Sequence, residues 1–318
     1  MLFLPDLDAI QEAHARIKPF VHRTPLLTSR FLGEIHGARV YLKAESLQRG
    51  GSFKIRGALN ALLLAQGRRE IGPAGVLTYS SGNHGQAVAL AAKILGCLAT
   101  VLVPEDIAGV KRSAIEGYGG KVVLCGLTSE DRHRGALRLA RETGAKIIPP
   151  YDDPDIIAGQ GTASLEILED LEEAHAVIVP VGGGGLIAGI SIGVKAIRPS
   201  ADVIAAEPEA ANDLALSLAQ GRRVSIPQPN TVADGLRALT PGELTFEAAK
   251  RHVKEVWCAT DSEILAAQRT LLERAKLLVE PSGAVPAAAY VRHGSKLRGQ
   301  NVVLLLSGGN ADLPAGCI

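Results

Sequence analysis

The run GGSFKIRGALNA (50–61) sets one lysine, Lys54, at the mouth of a helical stretch, behind a glycine pair and Phe53. An ammonium at that point meets the positive end of the helix dipole. The site therefore favours the neutral amine, and a neutral lysine is a nucleophile. A second chemistry-bearing run is VIVPVGGGGLIAGI (177–190), in which an apolar strand runs through Gly182, Gly183, Gly184 and Gly185 into a helix. Bare backbone N–H groups at a helix start suit an anion such as phosphate. The same residues admit a rival reading: Gly183, Gly185 and Ala188 satisfy GxGxxA, and Glu207 ends the next strand, as in a dinucleotide-binding unit.

Two more strand ends carry polar groups. In TYSSGNHGQAVAL (78–90) a strand gives way to Ser80, Ser81, Gly82, Asn83 and His84 and then to a helix. Such a loop can grip a carboxylate and donate to a ring oxygen. Taken singly, Ser81 or Asn83 reads as an ordinary helix N-cap, and His84 as a histidine that packs the loop. In LLLSGGN (304–310) an apolar strand ends at Ser307, whose hydroxyl suits a ring nitrogen; a plain turn is the competing reading. A nicotinamide enzyme needs only the glycine loop. Pyridoxal 5'-phosphate (PLP) uses the whole set: an amine for a Schiff base, a phosphate cradle, partners for O3' and the ring nitrogen, and a grip on an amino acid's carboxylate.

The elements that must position these residues alternate. Strand-like runs at 38–45, 75–80, 98–104, 121–126, 145–150, 176–181, 202–207 and 301–306 are separated by helical patterns such as 82–96 and 129–144, the latter closed by Gly144. The alternation predicts an α/β fold of right-handed βαβ units with mostly parallel sheets, with ligands at the carboxyl ends of the strands. The block 70–148 is expected to form a small domain inserted in a larger one made of 1–69 and 149–318. The 318 residues carry a net charge of +1 with acids and bases interspersed, which points to neither nucleic acid nor an anionic membrane. The start lacks a signal-peptide core, and no apolar run is long enough to span a membrane. Cys97, Cys125, Cys258 and Cys317 form no CxxC or metal-type pair, so reduced thiols in a cytoplasmic protein are expected.

Seven motifs then appear in order: KAESLQRGGSFKIRGA (43–58), SSGNHGQA (80–87), DDPDIIAGQGT (152–162), VGGGGLIAG (181–189), TVADG (231–235), EPSGA (280–284) and LSGGN (306–310). From RTPLL (23–27) onward the chain resembles the PLP-dependent serine/threonine dehydratases, the group that also holds serine racemase. The resemblance implies a fold type II PLP enzyme, similar to the tryptophan synthase β subunit, with two open twisted sheets flanked by helices. It also implies a homodimer, and no C-terminal regulatory domain after SGGN.

On this likeness Lys54 carries the Schiff base, Phe53 and Gly235 flank the ring, and Asn83 binds O3'. Gly182 to Gly185 and the Leu186 amide hold the phosphate, and Ser307 faces the ring nitrogen. Ser81, with Ser80, Gly82, Asn83 and His84, holds the substrate carboxylate, and in racemases the matching serine is also an acid/base. Arg132 matches a substrate-side arginine. Glu207, the Ala211 carbonyl and Asp213 match a cation site, whose all-oxygen set suits Mg²⁺ or Ca²⁺. For those two carboxylates, and for Arg132, a solvated surface role is the alternative. The implied reaction is β-elimination of L-threonine or L-serine, with Lys54 taking the Cα proton and release of a 2-oxo acid and ammonia. Serine racemisation is the named alternative. A β-replacing synthase, a dehydrogenase and a non-catalytic sensor are the more distant ones.

Overall fold

The computed structural model describes residues 3–107 and 109–311; Cys317 lies outside them. Ten strands are present among these residues: β1 (Leu26–Thr28), β2 (Arg39–Ala44), β3 (Val76–Thr78), β4 (Ala99–Val103), β5 (Lys121–Leu124), β6 (Lys146–Ile147), β7 (Ala176–Pro180), β8 (Asp202–Pro208), β9 (Glu255–Ala259) and β10 (Asn301–Leu306). They form a six-stranded sheet in the order β1-β2-β10-β7-β8-β9 and a four-stranded sheet in the order β5-β4-β3-β6. Only β1 pairs antiparallel; every other ladder is parallel.

Parallel strands covered by helices on both faces read as continuous apolar runs. Every residue of β7 and β10 is buried. Their side chains alternate between two cores, as a period of two requires. Ile178, Ile204, Val302 and Leu304 enter one core, and Val177, Val179, Val203 and Val303 enter the other. The smaller sheet lies wholly within 70–148 in sequence and divides its residues in the same way: Val76 faces one cluster and Leu77 another.

Several helices start and stop where capping residues stand. Ser129–Thr143 begins with a capping box between Thr128 and Asp131 and ends on left-handed Gly144. The strand expected over 145–150 shrinks to Lys146–Ile147. Ile148 still donates to the Leu77 carbonyl at 2.8 Å, but Pro149 and Pro150 have no N–H to continue the ladder. Two edge strands, β1 and β9, were not expected. Each pairs on one side only: β1 is three residues long, and β9, Glu255–Ala259, is mostly half-buried.

Candidate active site

Three neighbouring parallel strands, β2, β10 and β7, each release the chain into a loop at the same end of the large sheet. The loop after β2 leads to Lys54, the residue after β10 is Ser307, and β7 leads to the four glycines. Backbone contacts join the first two. Ser52 bridges Gly308, Phe53 N–H donates to the Ser307 carbonyl at 3.0 Å, and Gly309 N–H donates to the Gly51 carbonyl at 2.8 Å. The glycine pair has its reason here. Gly50 and Gly51 sit at φ 72° and 73°, a region that L side chains avoid, and a Cβ on Gly51 would strike the Asn310 carboxamide.

Lys54 is the first residue of the helix Lys54–Gly67, which has no side-chain cap. Its Nζ donates to the Pro150 carbonyl at 2.8 Å and lies 5.1 Å from the Phe53 ring centroid. Burial holds its pKa down to about 8, against the opposing charge of Glu280. The first turn of this helix is anchored by Arg56, which is fully buried. Arg56 donates to Glu45 at 2.9 and 2.8 Å and to Glu166 at 2.7 and 2.8 Å. Lys43 Nζ adds a bond to Glu166 at 2.6 Å. Two cations thus balance two carboxylates beneath the lysine.

The loop after β3 reaches the same end through side chains. Asn83 Nδ2 donates to Glu280 Oε1 at 2.7 Å, and Asn83 Oδ1 accepts from Asn310 Nδ2 at 2.8 Å. The carboxamide is therefore turned so that its N–H side faces Glu280. Glu280 is pushed up to about 7 by burial and by Asp234, with the Asn83 bond opposing. The His84 ring is buried and bonds the Ile148 carbonyl at 3.2 Å. Burial, aided by Lys54, lowers its pKa to about 3, so it stays neutral. Through Nε2 its imidazole anchors the loop, and Nδ1 has no hydrogen-bond partner. Ser80, Ser81 and Gly82 are partly exposed in this loop.

In the glycine loop, a Cβ on Gly182 would lie 3.1 Å from the Gly235 carbonyl oxygen, and one on Gly183 would overlap the Tyr151 ring. Gly184 has φ +91° and begins the helix Gly185–Ile197, whose first residues include Leu186. Gly235 N–H donates to Ser282 Oγ at 2.9 Å.

Glu207 and Asp213 are buried, not solvated. Both Glu207 oxygens accept backbone N–H groups at the start of the helix Asp213–Gln220, from Leu214 at 3.0 Å and Ala215 at 2.9 Å. Glu207 is fully buried under this helix start rather than presented beside the glycine loop, which disfavours the ribose role of the dinucleotide reading. The two oxygens of Asp213 have no hydrogen-bond partner, and burial raises this carboxyl to about 7. Burial, reinforced by Asp213, raises Glu207 as well. Ala211 is buried between them in sequence. Arg132 lies on the helix Ser129–Thr143 and donates to the Leu127 carbonyl at 3.3 Å, near Asp106 and Cys125.

Sequence reasoning gave no role to Glu280, Asn310, Tyr151, Asp152 or Thr245. A signal existed for Glu280: it is a lone carboxylate between the apolar run LLV and the small residues PSGA.

Comparison with known proteins fits this geometry. The family of pyridoxal-phosphate dependent enzymes matches residues 17–308. Serine racemase from Arabidopsis thaliana is 44% identical over 316 residues, covering 98% of this chain and 95% of the relative. L-threonine ammonia-lyase from Thermotoga maritima is 42% identical, covering 96% of this chain and 76% of the relative. The crystal structure of T.th. threonine deaminase superposes with a TM-score of 0.91 at 46% identity, covering 97% of this chain and 99% of that one. A desolvated lysine, a bare glycine loop and a strand-end serine meet at the carboxyl end of the large sheet, and the chain belongs to the pyridoxal-phosphate dependent enzymes.

Proposed function

We propose that this protein is a PLP-dependent threonine/serine ammonia-lyase, which converts L-threonine to 2-oxobutanoate, or L-serine to pyruvate, with release of ammonia. The observation that carries the reading is the Lys54 amine, desolvated to a pKa of about 8 and placed beside the ends of β10 and β7. PLP fits the residues present. Glycines 182 to 185 leave backbone bare where a Cβ on any of them would meet a neighbour, and a buried neutral serine, not a carboxylate, ends β10. Lys54 would hold the cofactor, Gly182 to Gly185 and Leu186 its phosphate, Asn83 its O3', Ser307 its ring nitrogen, and Phe53 and Gly235 its faces. When bound, PLP supplies the electron sink for the charge left on the substrate Cα.

Lys54 Nζ takes the Cα proton, a task suited to a base that titrates near working pH. The loop of Ser80, Ser81, Gly82, Asn83 and His84 grips the substrate carboxylate through N–H and O–H donors, with Arg132 on the substrate side. Residues 70–148 would be the small, substrate-handling domain and 1–69 with 149–318 the large one, in a homodimer.

Serine racemase is the second reading. It is supported by the identity to the Arabidopsis relative and by Ser81, whose Oγ would give or take a proton across from Lys54. The unpartnered Asp213 carboxylate, with Glu207 and the Ala211 carbonyl, suits a hard divalent cation, Mg²⁺ or Ca²⁺. Product analysis with L-threonine, L-serine and D-serine, with and without chelator, tests both readings. The lyase releases ammonia from L-threonine, and Lys54→Ala abolishes it. Turnover retained in Lys54→Ala rejects the assignment, and D-serine formation without ammonia selects the racemase.

A further inference from the structure

We propose that Asp152 is a positioning residue for the glycine loop: by capping the N-terminus of the helix Glu243–His252, it fixes the loop's backbone and so sets the affinity for the cofactor's phosphate. This rests on the reading of Gly182 to Gly185 as the phosphate cradle.

The first turn of a helix leaves backbone N–H groups that need acceptors. The helix Glu243–His252 starts at Gly242 and has no side-chain cap of its own. Asp152, 91 residues before Glu243, supplies the acceptors. Its Oδ2 accepts from Glu243 N–H at 2.8 Å, and its Oδ1 accepts from Leu244 N–H at 2.9 Å and Thr245 N–H at 3.3 Å. Thr245 passes the constraint on, because its Oγ1 donates to the Gly183 carbonyl at 2.8 Å. Gly242 N–H points to the same carbonyl at 3.4 Å. A Cβ on Gly184 would sit 2.7 Å from Thr245 Cβ, so the loop has no slack against this helix.

The two residues before Asp152 serve the same site. Tyr151 lies against Gly183 and Gly185, and the Pro150 carbonyl receives the Lys54 amine. Amides bind an anion only while they keep a common direction. Loss of the Asp152 carboxylate frees the helix start, and with it Thr245 and the Gly183 carbonyl.

The test compares two probes on the apoprotein: PLP and pyridoxal, which lacks the phosphate. Dissociation constants come from absorbance titration and equilibrium dialysis, and far-UV circular dichroism monitors the fold. The wild type prefers PLP. Asp152→Ala lowers that preference about tenfold or more while pyridoxal affinity stays within about threefold. Asp152→Asn keeps most of the preference, since one oxygen still accepts two of the three N–H groups. Thr245→Val breaks the next link without touching the cap and gives the same selective fall, which keeps the proposal testable if Asp152→Ala does not fold. A wild type without preference for PLP overturns the cradle reading. A preference that survives in Asp152→Ala or Thr245→Val, or that falls there together with pyridoxal affinity, overturns the role of Asp152 alone.

Discussion

The desolvation of Lys54 makes a quantitative prediction about how the apoprotein captures its cofactor. Only the neutral amine reacts. With a pKa of about 8 in place of the ordinary 10.5, about one amine in eleven is neutral at pH 7, against about one in three thousand, a gain of about 300-fold. Glu280 opposes the effect of burial. Its own midpoint lies near 7, so it is about 90% ionised where Lys54 titrates, and its charge favours the ammonium. Glu280→Gln keeps an acceptor for Asn83 Nδ2 and removes that charge, so the Lys54 midpoint moves below 8. The assay mixes apoprotein with PLP by stopped flow from pH 6.5 to 10, then traps the adduct with borohydride and maps the modified peptide to Lys54. The capture rate should rise about tenfold per pH unit below pH 8 and level off above it. A wild-type midpoint at or above 10 refutes the desolvation argument. An unchanged or higher midpoint in Glu280→Gln refutes the part given to that carboxylate.

Two further outcomes follow from the buried charges. Arg56→Met leaves Glu45 and Glu166 buried with only Lys43 and Thr24 to meet them, and should cost about 3–5 kcal/mol in urea-induced unfolding of the apoprotein; a loss under about 1 kcal/mol would show the network to be energetically idle. Mg²⁺ or Ca²⁺ added to chelator-treated protein should raise its thermal midpoint by a few degrees through mass action, and Asp213→Asn should erase that increment. An equal increment in the variant places the ion elsewhere.

The candidate site was legible because its residues sit in short motifs at strand ends. Lys54 shows itself through its place before a helix, Gly182 to Gly185 through four bare residues after an apolar strand, and Ser307 through an abrupt stop in another. The groups that tune these residues were not legible, because their partners are far along the chain. Asp152 caps a helix 91 residues away, Asn83 meets a carboxylate 197 residues on, and Arg56 joins Glu166 across 110. No local spacing encodes such pairs. The surface reading of Glu207 and Asp213 failed for a related reason: a carboxylate near the end of an apolar strand looks like the return to solvent, but the helix Asp213–Gln220 folds over Glu207 and supplies N–H donors.

The same distinction separates what the glycine loop can do from what Glu280 can do. A loop of bare backbone amides suits an anion, and it is not among the causes that set the basicity of the lysine. That basicity is set by two opposed effects. Burial at a helix start pushes the amine toward neutrality, and one carboxylate pulls it back. Burial alone would leave a base too weak to carry the substrate proton, and a fully ionised, unhindered carboxylate alone would leave an ammonium unable to accept one. Glu280 is itself lifted to about 7 by burial and Asp234, while the Asn83 hydrogen bond opposes that rise and so favours the charged carboxylate. Asn83 thus bonds the carboxylate whose charge opposes the desolvation of Lys54.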